Sequence, residues 1–446
     1  MASREPRERT NRRAPHARRY ALVSLALVVG LGCGFLARKG KEPTGGDNLP
    51  SSGVGPFIKE DFYCNTQLVQ PFILTSPSDG QRGAPSLLRD ADGTFRIWSE
   101  LRTSDRSVIE AHRMSLSKSQ STCRRFDVSV SEESQSFAPS EAWEGNAVGS
   151  PAVVLEDGLY RMWYEGAGAA GTGWGGIGYA ESNDGVAWTR RGNGPVLVPD
   201  QQWESGTIGS PAVVFRDGLY RMWYDGDELG ARAIGYADSP DAVTWTKRDA
   251  SGRESSGSAR TDLAPVITSD QTTWEFYKPT DPTGSVGAPS VVVHEDPLRT
   301  LYLLYYTGNL RGRLDTRYDD VDSSIGIAWS EDGLTWTKAP YKRDCDQFDC
   351  PANEINPNMA EKLPISLGPK VDGSFNSFSP LSIVDEAEPA VVEVPEEETF
   401  FMLWHQVDQI NAKLAPSLPS EDPSKPPDHF PGATGIGFAY ATNLPK

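Results

Sequence analysis

The sequence predicts an all-β fold, a single five-bladed β-propeller of four-stranded blades closed by an N-terminal strand. Three observations lead there. A unit reading Gly-Ser-Pro-Ala-Val-Val and then Asp-Gly-Leu-Tyr-Arg-Met-Trp-Tyr occurs from Gly149 and again from Gly209, and degenerate copies stand at Gly83, Gly287 and Glu388. Each unit holds enough short β-forming segments for four strands, which is the make-up of a propeller blade. The last copy runs out at Ala441 and Thr442, one strand short, while the N-terminal region carries a spare segment of the right kind.

The elements follow in order. Pro151 to Val154 is an apolar β-forming run, and Asp157-Gly158 is a two-residue hairpin signal that returns the chain as Tyr160 to Tyr164. A third strand reads Ile177-Gly178-Tyr179-Ala180, with counterparts at Ile234, Ile325 and Ile436. Next comes a box, Ser182-Asn183-Asp184-Gly185 with Trp188-Thr189, repeated at Ser239 and Ser330, which gives a tight turn and a fourth strand. Asp184, Asp241 and Asp332 are expected to cap backbone amides of that turn. Trp163, Trp223 and Trp404 recur at one place in the second strand and are expected in the core between blades. Gln70 to Leu74 resembles Gly194 to Val198 and Ala264 to Thr268, which lead from one unit into the next. As a fourth strand for the last unit it would remove an open sheet edge.

The first 56 residues are of another kind. Seven Arg against two Glu in residues 1–19 precede an apolar run from Tyr20 to Ala37. A basic segment before a short apolar stretch is the pattern of an export signal. Leu31-Gly32-Cys33 within it resembles a bacterial lipoprotein box, which would make residues 1–33 the signal and Cys33 the lipidated first residue of an exported, membrane-anchored protein; an uncleaved anchor is the alternative. Residues 34–56 read as a Gly/Pro/Ser-rich tether, and 57–446 as the propeller.

The net charge of −18 becomes about −23 without the signal, which argues against nucleic acid or an anionic lipid surface as a partner. Setting Cys33 aside leaves Cys64, Cys123, Cys345 and Cys350, an even number suited to disulfides in an oxidising compartment; three pairings are open, with Cys345 and Cys350 the local one. No Cys/His spacing of a structural metal site occurs.

The Gly-x-Pro, Met-Trp-Tyr and Gly-Tyr-Ala…Asp-Gly…Trp-Thr pattern, spanning about residues 62–442, resembles the five-bladed glycoside-hydrolase superfamily of arabinanases, xylosidases, levansucrases and invertases. The box also resembles the Asp box of sialidases. The first resemblance implies a site on the propeller axis, with a carboxylate just before the Pro of the first strand in selected blades. Here Ala84, Ser150, Ser210 and Ala288 fill that slot, and Glu388 alone matches. Glycoside hydrolysis needs two carboxylates.

Other acids could supply the second one. Trp143-Glu144, Trp203-Glu204 and Trp274-Glu275 form a repeated pair in the loops that lead into each unit. The second strands end in Glu100, Glu165 and Asp225, and Asp281, Glu386 and His405 belong to the last two units. Glu388, Glu204 and Asp281 are therefore the expected catalytic set, and Glu144, Glu165, Asp225, Glu386 and His405 the expected ligand-binding set. Carboxylates beneath aromatic rings suit an oligosaccharide or polysaccharide. A calcium ion on the axis would be compatible with them, although no loop has calcium-ligand spacing. The expected function is action on, or binding of, extracellular glycan; a non-catalytic glycan- or protein-binding propeller is the alternative.

Overall fold

The computed structural model describes residues 58–59, 73–120, 126–168, 175–228, 231–255, 262–269, 275, 285–296, 299–308, 324–338, 384–397, 399–408 and 433–442. The export segment with Cys33, the tether, the other four cysteines and Asp281 lie outside the described residues. Among the described residues no helix is long and apolar enough to cross a membrane.

The protein is all-β, a propeller arrangement of four-stranded blades. Two short strands come first, β1 (Ile58–Lys59) and β2 (Leu74–Thr75). The first blade is β3 (Gly80–Arg89), β4 (Phe95–Thr103), β5 (Ser107–Lys118) and β6 (Phe126–Phe137), in that spatial order. The second is β7 (Val148–Glu156), β8 (Leu159–Gly166), β9 (Gly176–Ser182) and β10 (Thr189–Arg190). The third is β11 (Ile208–Arg216), β12 (Leu219–Glu228), β13 (Ala231–Ser239) and β14 (Thr246–Arg248). The fourth is β15 (Val286–Asp296), β16 (Arg299–Gly308), β17 (Ser324–Ser330) and β18 (Thr337–Lys338). A C-terminal sheet holds β19 (Val384–Val394), β20 (Thr399–Asp408) and β21 (Ala433–Thr442), and both β1 and β2 pair with β21.

Turn chemistry sets the hairpins. Asp157 and Gly158, at φ 50° and 77°, and Asp217 and Gly218, at 52° and 72°, take the left-handed pair of a two-residue β-hairpin. Both faces of each second strand are buried, so side chains alternate between two neighbours. Tyr160, Met162 and Tyr164 of β8 pack with Trp98 and Ile109 of the blade before, while Trp163 packs with Tyr220 and Met222 of the blade after. Trp223 repeats this against Tyr302 and Leu304. The C-terminal sheet packs on both sides, Met402 against Leu303 and Tyr305 of the fourth blade and Leu403 against Phe95 and Ile97 of the first.

The box is the second tie between blades, and its aspartates cap the turn as the sequence leads one to expect. Asp184 accepts hydrogen bonds from the amides of Val186 and Ala187, Asp241 from Val243 and Thr244, and Asp332 from Leu334 and Thr335. The turn carbonyl then accepts the indole of the preceding blade: Trp98 Nε1 donates to Gly185 at 2.8 Å, Trp163 to Ala242 at 3.1 Å and Trp223 to Gly333 at 2.9 Å. In two boxes the same carbonyl also accepts the box's own indole, from Trp245 and Trp336. Trp163 and Trp223 are thus core between blades; the Trp404 side chain is outside the described set. The fourth blade has Tyr305 at this place, and the sheet after it has no box to receive an indole.

The turn residue whose carbonyl accepts the preceding blade's indole sits in the left-handed region in all three boxes, at φ 74° (Gly185), 71° (Ala242) and 77° (Gly333). Only glycine takes that conformation without a penalty, which for other residues is about 1–2 kcal/mol. A Cβ at Gly333 would also lie 2.9 Å from the Trp223 ring. Gly333→Ala is expected to lower stability by at least about 1 kcal/mol and Ala242→Gly to raise it by up to about 1 kcal/mol in denaturant titrations.

Candidate functional site

The first strand of every sheet opens with a break in register, between Gly83 and Ser86, Gly149 and Ala152, Gly209 and Ala212, Gly287 and Ser290, and Ala387 and Ala390. In each break two residues, the x-Pro pair of the repeat, face a single residue of the second strand, which is one residue too many for the ladder. These ten residues, from Ala84-Pro85 round to Glu388-Pro389, line one shallow axial opening of about 280 Å³, solvent at its mouth included. Ala84, Ser150, Ser210, Ala288 and Glu388 all have φ between 42° and 54°, the left-handed region, as a bulge requires.

Proline has no amide hydrogen, so each bulge retains one N–H that no strand partner can accept. In four of the five sheets a neighbouring sheet supplies the acceptor. The Ser210 amide donates to Glu165 Oε2 at 3.0 Å, the Ala288 amide to Asp225 Oδ2 at 2.9 Å, and the Glu388 amide to Thr307 Oγ1 at 2.9 Å. The acceptors occupy one position, the residue opposite the unit's leading glycine in the second strand. The Ala84 amide departs from this pattern, donating to the side chain of Glu388 itself at 2.6 Å. Glu100 holds the equivalent position in the first blade, and its carboxyl lies where a Cβ on Gly149 would have to be; the Glu165 carboxyl meets Gly209 in the same way. The leading glycine is therefore space for the preceding blade's acid.

Three buried acids thus stand on successive blades. Glu100 is paired with Arg102 at 2.8 Å and accepts from the Ser107 hydroxyl, and Asp225 is paired with Arg232 at 3.0 Å. Glu165, 4% exposed, has no ion pair among the described residues. Burial first, then the charge of Asp225, push its carboxyl up to about 8, against the lowering effect of hydrogen bonds from Ser150 and Ser210.

The Trp-Glu pairs lie elsewhere. Glu144 and Glu204 are both fully buried, and neither lines the axial opening. Each caps its own short turn, Glu144 accepting the amides of Ser140 and Glu141 and Glu204 those of Asp200 and Gln201. Each also binds a tyrosine hydroxyl, from Tyr164 at 2.8 Å and Tyr224 at 2.7 Å, and a cation of the fourth strand, Arg190 at 2.6 Å and Lys247 at 2.7 Å. Glu275 repeats the arrangement with Tyr306 and Lys338. Every carboxylate oxygen of Glu144 and Glu204 is thus engaged within the protein, which gives both acids a scaffold role. The rings beside them face inward: Trp203 stacks on Tyr224 and Trp143 tilts onto Tyr164, so neither offers a platform at the opening.

Of the other expected residues, Glu388 lines the opening, and Glu165 and Asp225 touch its lining from behind through Ser210 and Ala288. Glu386 and His405 have their backbones in β19 and β20, opposite Gln406 and Ala387, and their side chains are outside the described set. Among the described residues no three His, Cys, Asp or Glu side chains are grouped to hold a metal ion. Thr307 escaped sequence reasoning because it bears no charge; aligning the second-strand ends Glu100, Glu165, Asp225, Thr307 and His405 would have found it.

Breaking a buried ion pair by removing one partner strands the other charge, at about 3–5 kcal/mol. Lys247→Met is therefore expected to destabilise the protein on that scale. Arg191→Ala, which removes a half-exposed partner of Glu181, should change stability by about 1 kcal/mol or less. Equal effects in thermal melts would contradict the scaffold role of Glu204.

No protein-family model matches the chain. It is 31% identical over 132 residues to two proteins of Mycobacterium tuberculosis, "Uncharacterized protein MT1551" of strain CDC 1551 and "Uncharacterized protein Rv1502" of strain H37Rv, a match covering 25% of this chain. The chain spans 42% of the length of these relatives. Among solved structures it is similar to a "Glycoside hydrolase" at a TM-score of 0.49 and 13% identity, covering 83% of this chain and 91% of that one. The catalytic domain of a Coprinopsis cinerea α-L-arabinofuranosidase gives 0.49 and 10%, covering 89% and 100%. A thermostable family-43 glycoside hydrolase gives 0.47 and 14%, covering 83% and 95%. None of these scores reaches 0.5, and the propeller arrangement is read from the sheets themselves.

Proposed function

We propose that the protein is an exported propeller that binds glycan at its axial opening without hydrolysing it. The observation that carries this reading is the lining of the opening: one carboxylate, Glu388, with the hydroxyl-bearing Ser150 and Ser210, among prolines and alanines. Hydroxyls and a carboxylate suit the alternating donors and acceptors of a sugar. Hydrolysis needs an acid and a second carboxylate at a set separation, both free to act. Glu388 is engaged with the Ala84 amide, and Glu165 and Asp225 hold bulge amides. A glycan array with released-sugar detection on residues 57–446 tests this. Binding without product, weakened in Glu388→Gln, is the expected result; released sugar from the wild type would move the reading to an enzyme with a carboxylate from Asp281 or Glu386.

The C-terminal sheet is read as a fifth blade, closed by the N-terminal segment. Support comes from matching hydrogen bonds. Ile73 N donates to Ile436 O at 2.9 Å, as Val196 N does to Ile177 O and Val266 N to Ile234 O, both at 2.8 Å. These are the segments that the sequence aligns. Removal of residues 57–75 is expected to expose the edge of β21 and cause aggregation or loss of a cooperative melt. A truncated protein that melts like the full chain would end this reading.

Export rests on the basic and apolar N-terminal segment, with Cys33 as the proposed lipid-bearing residue. Cys33→Ala should release the protein from membranes or block its processing, read by membrane fractionation and intact mass. An unchanged mass and fractionation pattern would exclude lipidation.

A further inference from the structure

Among the described residues, the row of acids on the first three blades has one acid too many for its cations. Glu100, Glu165 and Asp225 are each at least nine-tenths buried and stand at the same strand-end position of consecutive blades. Two guanidiniums serve them, Arg102 on Glu100 and Arg232 on Asp225, and both of those lie at the ends of the row. The middle acid meets neutral donors, the Ser210 amide and the Ser150 hydroxyl. The charges acting at this place are those of Glu100 and Arg102 from β4, Asp225 from β12 and Arg232 from β13; Glu388 of the neighbouring β19 acts on Arg102. A third anion here would be flanked by two others in a site closed to water.

We propose that Glu165 is an alkali-sensitive latch on the axial face, which in its protonated form holds the second blade to the third and on losing its proton loosens that seam. The contact at risk is specific. Glu165 reaches across the seam to the bulge amide of Ser210, and Asp225, the like charge that acts on it most strongly, holds the next bulge amide, that of Ala288. Repulsion between the two carboxylates therefore acts on two adjacent bulges of the opening's lining. The sign follows from linkage. A carboxyl bound more tightly to its proton in the folded state contributes stability that is fully present below about 4.5, its ordinary value, and is lost as pH rises through about 8.

The test needs no variant at first. In full-length protein labelled with ¹³C at the glutamate side-chain carboxyls, one resonance is expected to titrate near pH 8, well above the rest, and to vanish in Glu165→Gln. All glutamates titrating below pH 6 would overturn the proposal. In parallel, the melting-temperature difference between wild type and Glu165→Gln should fall as pH rises from 5 to about 8.5 and level off beyond it. Asp225→Asn should move that fall to lower pH, because the like charge that acts most strongly on Glu165 is gone. A difference that stays constant with pH, or one that rises, would also overturn the latch. Hydrogen exchange places the loosening: Ser210 and Ala288 amides should lose protection relative to amides of the fourth blade above pH 8, and uniform protection changes would count against it.

Discussion

Much of this structure depends on one amide per sheet. Placing proline at the second bulge position removes one donor, and the bulge leaves the residue before it without a strand partner. Leaving that N–H unpaired in a buried place would cost about 1–3 kcal/mol. Here Glu165, Asp225 and Thr307 each accept it from the sheet before, and Glu388 accepts that of Ala84. The local need of a bulge thus becomes a contact between sheets. It also dictates the leading glycine, because the acid that accepts the amide occupies the space of its Cβ at Gly209.

The far end of each blade is tied by a different chemistry with the same logic. A left-handed turn residue turns its carbonyl toward the preceding blade, where a buried indole donates to it. Between these two polar ties lie the apolar seams, with Met162, Met222 and Met402 as fillers and Tyr or Trp rings on either side. Burial on both strand faces explains why the repeat contains so few polar positions in its second strand. In the fourth blade Tyr305 stands at the place that Trp98, Trp163 and Trp223 hold in the first three.

The repeat was legible because its constraints are local. Asp-Gly hairpins, the box aspartates and the Met-Trp-Tyr alternation each encode their own geometry, and the strands fall where Gly149, Ile177 and Ser182 place them. The site was less legible because a carboxylate's role depends on what sits behind it. Glu144 and Glu204 repeat with the same spacing as any functional pair would, but their partners Arg190 and Lys247 come from strands 46 and 43 residues away. Sequence spacing cannot reveal that these cations are already committed. Glu165 and Asp225 looked alike in sequence for a similar reason; the guanidinium of Arg232 distinguishes them, and it arrives from the next strand over.

Acids that hold the scaffold constrain what the axis can do. A general acid or nucleophile must change its protonation or bonding during turnover, and an acid that also anchors a backbone amide would disturb the seam each time it did so. Glu165 and Asp225 carry that double burden, and Glu388 carries it at the contact between β19 and β3. Binding makes no such demand, since a ligand hydroxyl can share a carboxyl oxygen without changing its protonation. Serine or alanine in the remaining axial slots fits the same economy: Ser150 supplies a hydroxyl to Glu165, and alanine adds no further charge to a row in which one acid has no ion pair among the described residues. The described acids of the axial face are thus committed to the contacts that keep the blades in place.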